Sequence, residues 1–116
     1  MPEGYIRGLS QYYVDGLERM EIWVNKKNAT PLPFQNGSRI PIRLKIGDSY
    51  YEAGLRTTSS LDYVYICPDL RDIQGQKISL SRVLTNSDFE KNQKVYLDVM
   101  GNLVQMRRAV APSPLN

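Results

Sequence analysis

The sequence holds no histidine and only one cysteine among its 116 residues. Without histidine, the commonest general base near neutral pH and the commonest metal ligand are both missing. A single cysteine excludes an internal disulfide, which fits a reducing, cytoplasmic compartment. Nucleophilic chemistry at Cys67 would need an activated thiolate, and no imidazole exists to serve it. Cys67 is therefore read as a small, partly buried residue ending a strand. No apolar run approaches the ~18 residues that read as a membrane-spanning helix. The N-terminal MPEGYIRGLSQ lacks the apolar centre of a signal peptide, so no membrane partner is expected. There is no glycine-rich phosphate loop, and Gly47, Gly54 and Gly75 are spaced as turn and strand glycines. Asp62, Asp69 and Asp72 lie close in sequence but lack the dense ligand spacing of a calcium loop. Neither a catalytic set nor a cofactor or metal site is expected, and the chain reads as non-enzymatic.

What is present is ordinary for a folded domain: 41% hydrophobic and 23% charged residues. By length this is one domain. The net charge of +3 and a pI near 9.1 permit an acidic partner without demanding one.

The informative stretch runs from Arg39 to Cys67. Ile40, Ile42, Leu44 and Ile46 alternate with Arg39, Pro41, Arg43 and Lys45, the period of a strand with one dry face. Gly47-Asp48 suits a type II′ turn, because glycine accepts positive φ at its first central position. A two-residue turn fixes the register. Ile46 faces Ser49, Leu44 faces Tyr51, Ile42 faces Ala53 and Ile40 faces Leu55, so both apolar faces meet. On the wet face Arg43 lies opposite Glu52, a pair contributing roughly 0.2–1 kcal/mol. Lys45 lies opposite Tyr50, and Arg39 opposite Arg56, which the fold alone does not favour. A third strand, Asp62 to Cys67, follows. With residues 58–61 as its loop, Val64 faces Leu55, Ile66 faces Ala53, Tyr63 lies beside Arg56 and Tyr65 beside Gly54. The wet face then carries Arg39, Arg56 and Tyr63, with Tyr65, Arg43 and Lys45 nearby. Clustered like charges beside exposed rings suit a polyanion with stackable bases. The plainer reading is a solvated sheet face with its arginines splayed apart.

The remaining chain reads as follows. Residues 1–8 form a flexible lead. Leu9, Tyr13, Leu17, Met20 and Val24 recur at helical spacing and predict a helix over 9–20. Against it stand the turn signal Asp15-Gly16 and the alternation of Met20, Ile22 and Val24, so EIWV is a strand in the competing reading. Residues 25–38 are a loop pinned by Leu32 and Phe34, with Lys26 and Lys27 adding charge. Pro68 ends the third strand, and Gln74-Gly75 marks a turn. Ser79 caps a short helix carrying Leu80, Val83 and Leu84 on one side. Residues 85–92 link onward, with Phe89 as the core contact. A closing hairpin turns at Gly101-Asn102 and sets Val99 opposite Val104, Leu97 opposite Met106 and Tyr96 opposite Arg107. Residues 109–116 read as a tail or the start of a linker. The expected fold class is mainly β with two short helices, α+β.

The phrases IPIRLKIGDSYYEAGLR, YVYICPDL and NQKVYLDVMGNLVQM, in the order helix, three strands, helix, hairpin, span about residues 9–108. In that order they resemble the DNA-binding pseudobarrel of plant auxin-response-type transcription factors and of some type II restriction enzymes. The resemblance implies a small antiparallel β-barrel or pseudobarrel whose concave sheet face enters the major groove. It also implies recognition without cleavage, the cutting done by another domain of a longer chain or by another subunit. On that reading Arg39, Arg43 and Arg56 contact bases or phosphates. Lys26, Lys27, Lys45 and Arg107 hold phosphates, and Tyr63 and Tyr65 pack on sugar or base. Duplex DNA is the expected partner. The alternative is a protein-interaction or accessory domain, for which the tyrosine-rich surface speaks.

Overall fold

Gly47, at φ +61°, turns the chain between β3 (Ile40–Ile46) and β4 (Ser49–Arg56). Asp48 keeps a negative φ, as a type II′ turn requires. The ladder has the expected register, from Ile46↔Ser49 to Ile40↔Leu55. A second glycine corner at Gly101 joins β8 (Lys94–Met100) to β9 (Leu103–Arg108). There Val99 pairs with Val104, Leu97 with Met106 and Tyr96 with Arg107, again as expected.

The computed structural model describes residues 2–109. The expected tail therefore lies outside the described residues, apart from Ala109.

The N-terminal quarter departs from expectation. In place of a flexible lead and a helix over 9–20 stand two strands, β1 (Glu3–Tyr12) and β2 (Glu18–Asn25). They pair antiparallel from Gly4↔Val24 to Gly8↔Met20, and the register shifts before Tyr12↔Glu18. The turn signal prevailed over the helical spacing. The Leu17 amide donates to Asp15 Oδ1 at 3.0 Å, the Gly16 amide donates to the Tyr13 carbonyl at 3.0 Å, and Gly16 sits at φ +89°. Alternation then buries Ile6, Ile22 and Val24 together, which a helix could not do.

The third strand of the meander, β5 (Tyr63–Ile66), pairs with β4 two residues away from the expected position: Leu55↔Ile66 and Arg56↔Tyr65. A shift of two preserves which face each side chain occupies. Its cause lies on the other edge of β5, where β2 claims Val64 and Tyr63 through Val24↔Val64 and Asn25↔Tyr63. Thr57, buried at the loop, donates its hydroxyl to the Tyr63 carbonyl at 2.7 Å and fixes the longer connection.

Beyond Pro68 a small ribbon was not foreseen. Its strands are β6 (Asp69–Arg71) and β7 (Lys77–Ser79), and β6 joins β4 through Glu52↔Arg71. Helix α1 (Leu80–Asn86) follows, with the Ser79 hydroxyl accepting from the Arg82 amide as the expected cap. The only other helical piece among the described residues is a 3-10 turn at Lys26–Asn28.

Seven strands close a barrel in the order β3-β9-β8-β1-β2-β5-β4, and the β3–β4 ladder completes the ring. Every pairing is antiparallel except β3–β9, which is parallel. The interior is apolar, with Ile6, Ile22, Leu44, Leu55, Ile66 and Leu97 fully buried. Each such side chain contributes roughly 1.5–3 kcal/mol on leaving water. α1 packs its Leu80, Val83 and Leu84 into the same core, and Leu32, Phe34 and Phe89 pin their loops to it. Among the described residues no helix is long and apolar enough to cross a membrane.

Candidate nucleic-acid interface

Register places one row of outward side chains across four staves of the barrel. Tyr5 of β1 pairs with Trp23 of β2, Trp23 with Tyr65 of β5, and Tyr65 with Arg56 of β4. Tyr63 stacks on Trp23 with ring centroids 4.0 Å apart and planes within 14°. Tyr63 and Tyr65 lie 6.0 Å apart. The Arg7 guanidinium lies 5.6 Å from the Tyr5 ring centre and 5.7 Å from that of Trp23. Trp23 donates its indole N–H to Glu21 Oε1 at 2.8 Å. Burial still holds the Glu21 carboxyl above the ordinary glutamate range, and it likewise raises the Tyr65 phenol.

Gly54 explains the geometry of the next two arginines. A Cβ there would collide with the Arg39 guanidinium, so the bare backbone is what lets Arg39 lie down on β4. Cys67 follows β5 and donates its amide to the Gly54 carbonyl at 2.9 Å. Burial raises the Cys67 thiol pKa, and the guanidinium groups of Arg39 and Arg56 oppose that rise. The two like charges expected to face one another thus converge on one buried thiol. Arg56 stands beside Tyr65, not Tyr63.

Arg39 also borders a large open hollow of about 1320 Å³ over the outer side of β3 and β4. Arg43, Glu52, Arg71, Lys77 and Arg82 line it with Arg39. Two rim carboxylates are already neutralised, Asp15 by Arg82 at 2.7 Å and Asp69 by Arg19 at 3.4 Å. A smaller groove of about 540 Å³ adjoins it and shares Arg43 and Glu52. Arg43 and Lys45 flank the Tyr50 ring at 6.0 and 5.5 Å.

The remaining candidates separate from this face. Lys26 Nζ donates to Asn36 Oδ1 at 2.9 Å and to the carbonyls of Thr58 and Leu61 at 2.9 and 3.2 Å. That makes Lys26 a brace between two loops, with its donors consumed. Lys27 is exposed beside it. Arg107 is ion-paired with Asp98 at 2.5 Å on the β8–β9 hairpin. By contrast, Arg39, Arg43, Lys45, Arg56 and Lys77 form no ion pair among the described residues.

Tyr5, Arg7, Arg71 and Lys77 were not singled out from sequence, and Trp23 figured only within the EIWV strand of the competing reading. Their signal was available: Glu3-Gly-Tyr-Ile-Arg and Glu21-Ile-Trp-Val alternate polar with apolar. Among the described residues no group of three or more Cys, Asp or Glu is placed to hold a metal ion. Comparison with protein-family models, with curated proteins and with solved structures finds no match for this chain.

Proposed function

We propose that this domain is a non-catalytic module that binds duplex DNA on the β3–β4 face of the barrel. One observation carries the reading. Arg39, Arg43 and Lys77 line one open hollow, Arg56 stands further along β4 beside Tyr65, and none of the four forms an ion pair among the described residues. Like charges held together cost the fold something, and a polyanion releasing its counterions would return it. Arg39 and Arg43 are the candidates for a guanine edge, through two parallel N–H bonds. Arg56, Lys45 and Lys77 are candidates for phosphates, which position without specifying. The resemblance to DNA-binding pseudobarrels supports the same assignment, as does the β-barrel itself. Recognition without cleavage fits a recognition domain working beside a nuclease, as in a restriction system. Such a module would work inside the cell, where a lone thiol stays reduced.

Fluorescence anisotropy on a labelled duplex at two salt concentrations tests this. Binding should weaken steeply with salt, with a log–log slope of about −0.9 for each phosphate held. Affinity indifferent to salt, or no binding below about 0.1 mM, sinks the proposal.

The second reading is a protein-docking surface at Tyr5, Arg7 and Trp23, residue types favoured in interface centres. Self-association visible by sedimentation, and lost in Trp23→Ala, would favour it.

A further inference from the structure

Ile73 is 85% exposed at the tip of the β6–β7 ribbon. Turn tips are ordinarily Gly, Asn, Asp or Ser, each for a backbone reason that isoleucine does not share. The ribbon is not loose there. Asp72 Oδ1 accepts from the Gln74 and Gln76 amides at 2.9 Å each. The Asp72 amide donates to the Gln76 carbonyl at 2.9 Å, and Arg71 Nη1 donates to the Gly75 carbonyl at 2.8 Å. A stiff, β-branched side chain is thus held out on a braced turn. It lines the smaller groove, beside Arg43, and Arg71 and Lys77 flank it on its own ribbon.

From this we infer that Ile73 is an apolar wedge that enters a base step of the bound duplex, so that the DNA is locally unstacked and bent. The inference rests on the duplex reading above. Apolar side chains inserted between base pairs open the stack, and cations beside them take the phosphates of the bent strand. Arg71 and Lys77 stand where that requires. Pyrimidine–purine steps open most easily, so the preferred site carries a TA or CA step. A preformed wedge also needs no ordering on binding, which a mobile tip would.

The test starts from duplexes selected by the full chain from a random pool. One set carries 2-aminopurine at each TA or CA step, and another carries donor and acceptor dyes at its ends. The wild-type chain should raise 2-aminopurine fluorescence several-fold at one step and bring the ends closer. Ile73→Ser should bind with the same salt slope and the same thermal midpoint, yet lose both signals. Ile73→Met should restore them. Salt-dependent binding by the wild type without either signal overturns the wedge and leaves DNA binding standing. Signals retained in Ile73→Ser overturn it equally. If the chain selects no duplex, wedge and DNA reading fall together. Sedimentation with phosphatidylserine vesicles in that case, lost in Ile73→Ser, would assign the tip to a lipid surface instead.

Discussion

On the flank built from the start of β2 and the β8–β9 hairpin, cations meet carboxylates. Lys91 holds Glu18 at 2.9 Å and Arg107 holds Asp98 at 2.5 Å. On the flank built from β3, β4 and β5, Arg39, Arg43 and Arg56 meet aromatic rings, a glycine and a thiol, with no carboxylate within ion-pair distance among the described residues. Both flanks share one barrel wall and similar exposure. The difference therefore reflects neighbours, not position. Paired charges fasten local structure, here turns and loop ends. Unpaired ones contribute little to the fold and are free to serve something outside it.

The largest expected effect tests the wall under the second flank. Ile42 is buried behind Arg43, and Ile42→Ala should cost about 2–5 kcal/mol in denaturant unfolding, by opening a cavity at mid-strand. A loss under about 0.5 kcal/mol would mean that β3 is not a true stave.

The next pair of variants sets the flanks against each other. The triple change Arg39→Ala, Arg43→Ala, Arg56→Ala should weaken duplex binding, relax its base preference and reduce the salt slope by about 1, for the phosphate that Arg56 holds. It should leave stability within about 0.5 kcal/mol of the parent. Lys91→Ala should do the reverse, lowering the thermal midpoint and sparing affinity. Equal losses of binding from both would erase the distinction.

The smallest effect is a difference in pH dependence. Lys91 and the Ser10 amide hold the Glu18 carboxyl below its ordinary value of 4.5. Its contribution is present above that value and fades as pH falls through the lower folded one. Burial does the opposite to Glu21, raising it from 4.5. The folded state then grips that proton more tightly, so stability falls as pH rises from 4.5 through the higher folded value. Glu18→Gln should lower the thermal midpoint near neutrality, and Glu21→Gln should raise it. Both differences should shrink in acid, and circular-dichroism melts across that range read them directly. Shifts of the same sign would refute the assignment.

The strands joined by tight glycine corners were legible from residues alone. At Gly47-Asp48 and Gly101-Asn102 a two-residue turn leaves only one register that keeps the apolar faces together. β1 was hidden because Leu9, Tyr13, Leu17, Met20 and Val24 happen to recur at helical intervals, while the Asp15-Gly16 turn and the alternation of Met20, Ile22 and Val24 kept EIWV, now part of β2, as a competing strand. That miss had a downstream effect. With EIWV held only as a competing strand, nothing indicated that β5 had a second neighbour, so Tyr63 was placed beside Arg56 instead of against Trp23. β6 and β7 are three residues each, too short for alternation to register, and β6 is tied to β4 by a single distant pairing. The bracing bonds of Lys26 were hidden for another reason. Its partners are backbone carbonyls at positions 58 and 61, and no local pattern announces such bonds.

The parallel seam between β3 and β9 joins Arg43 to Leu103, segments far apart along the chain. During synthesis the ring cannot shut until that last strand has left the ribosome. Until then β3 and β8 present open hydrogen-bonding edges, the templates on which unfinished chains adhere to one another. A nascent chain halted before Leu103 should therefore be the form most prone to aggregate, and the one a chaperone would most need to shield.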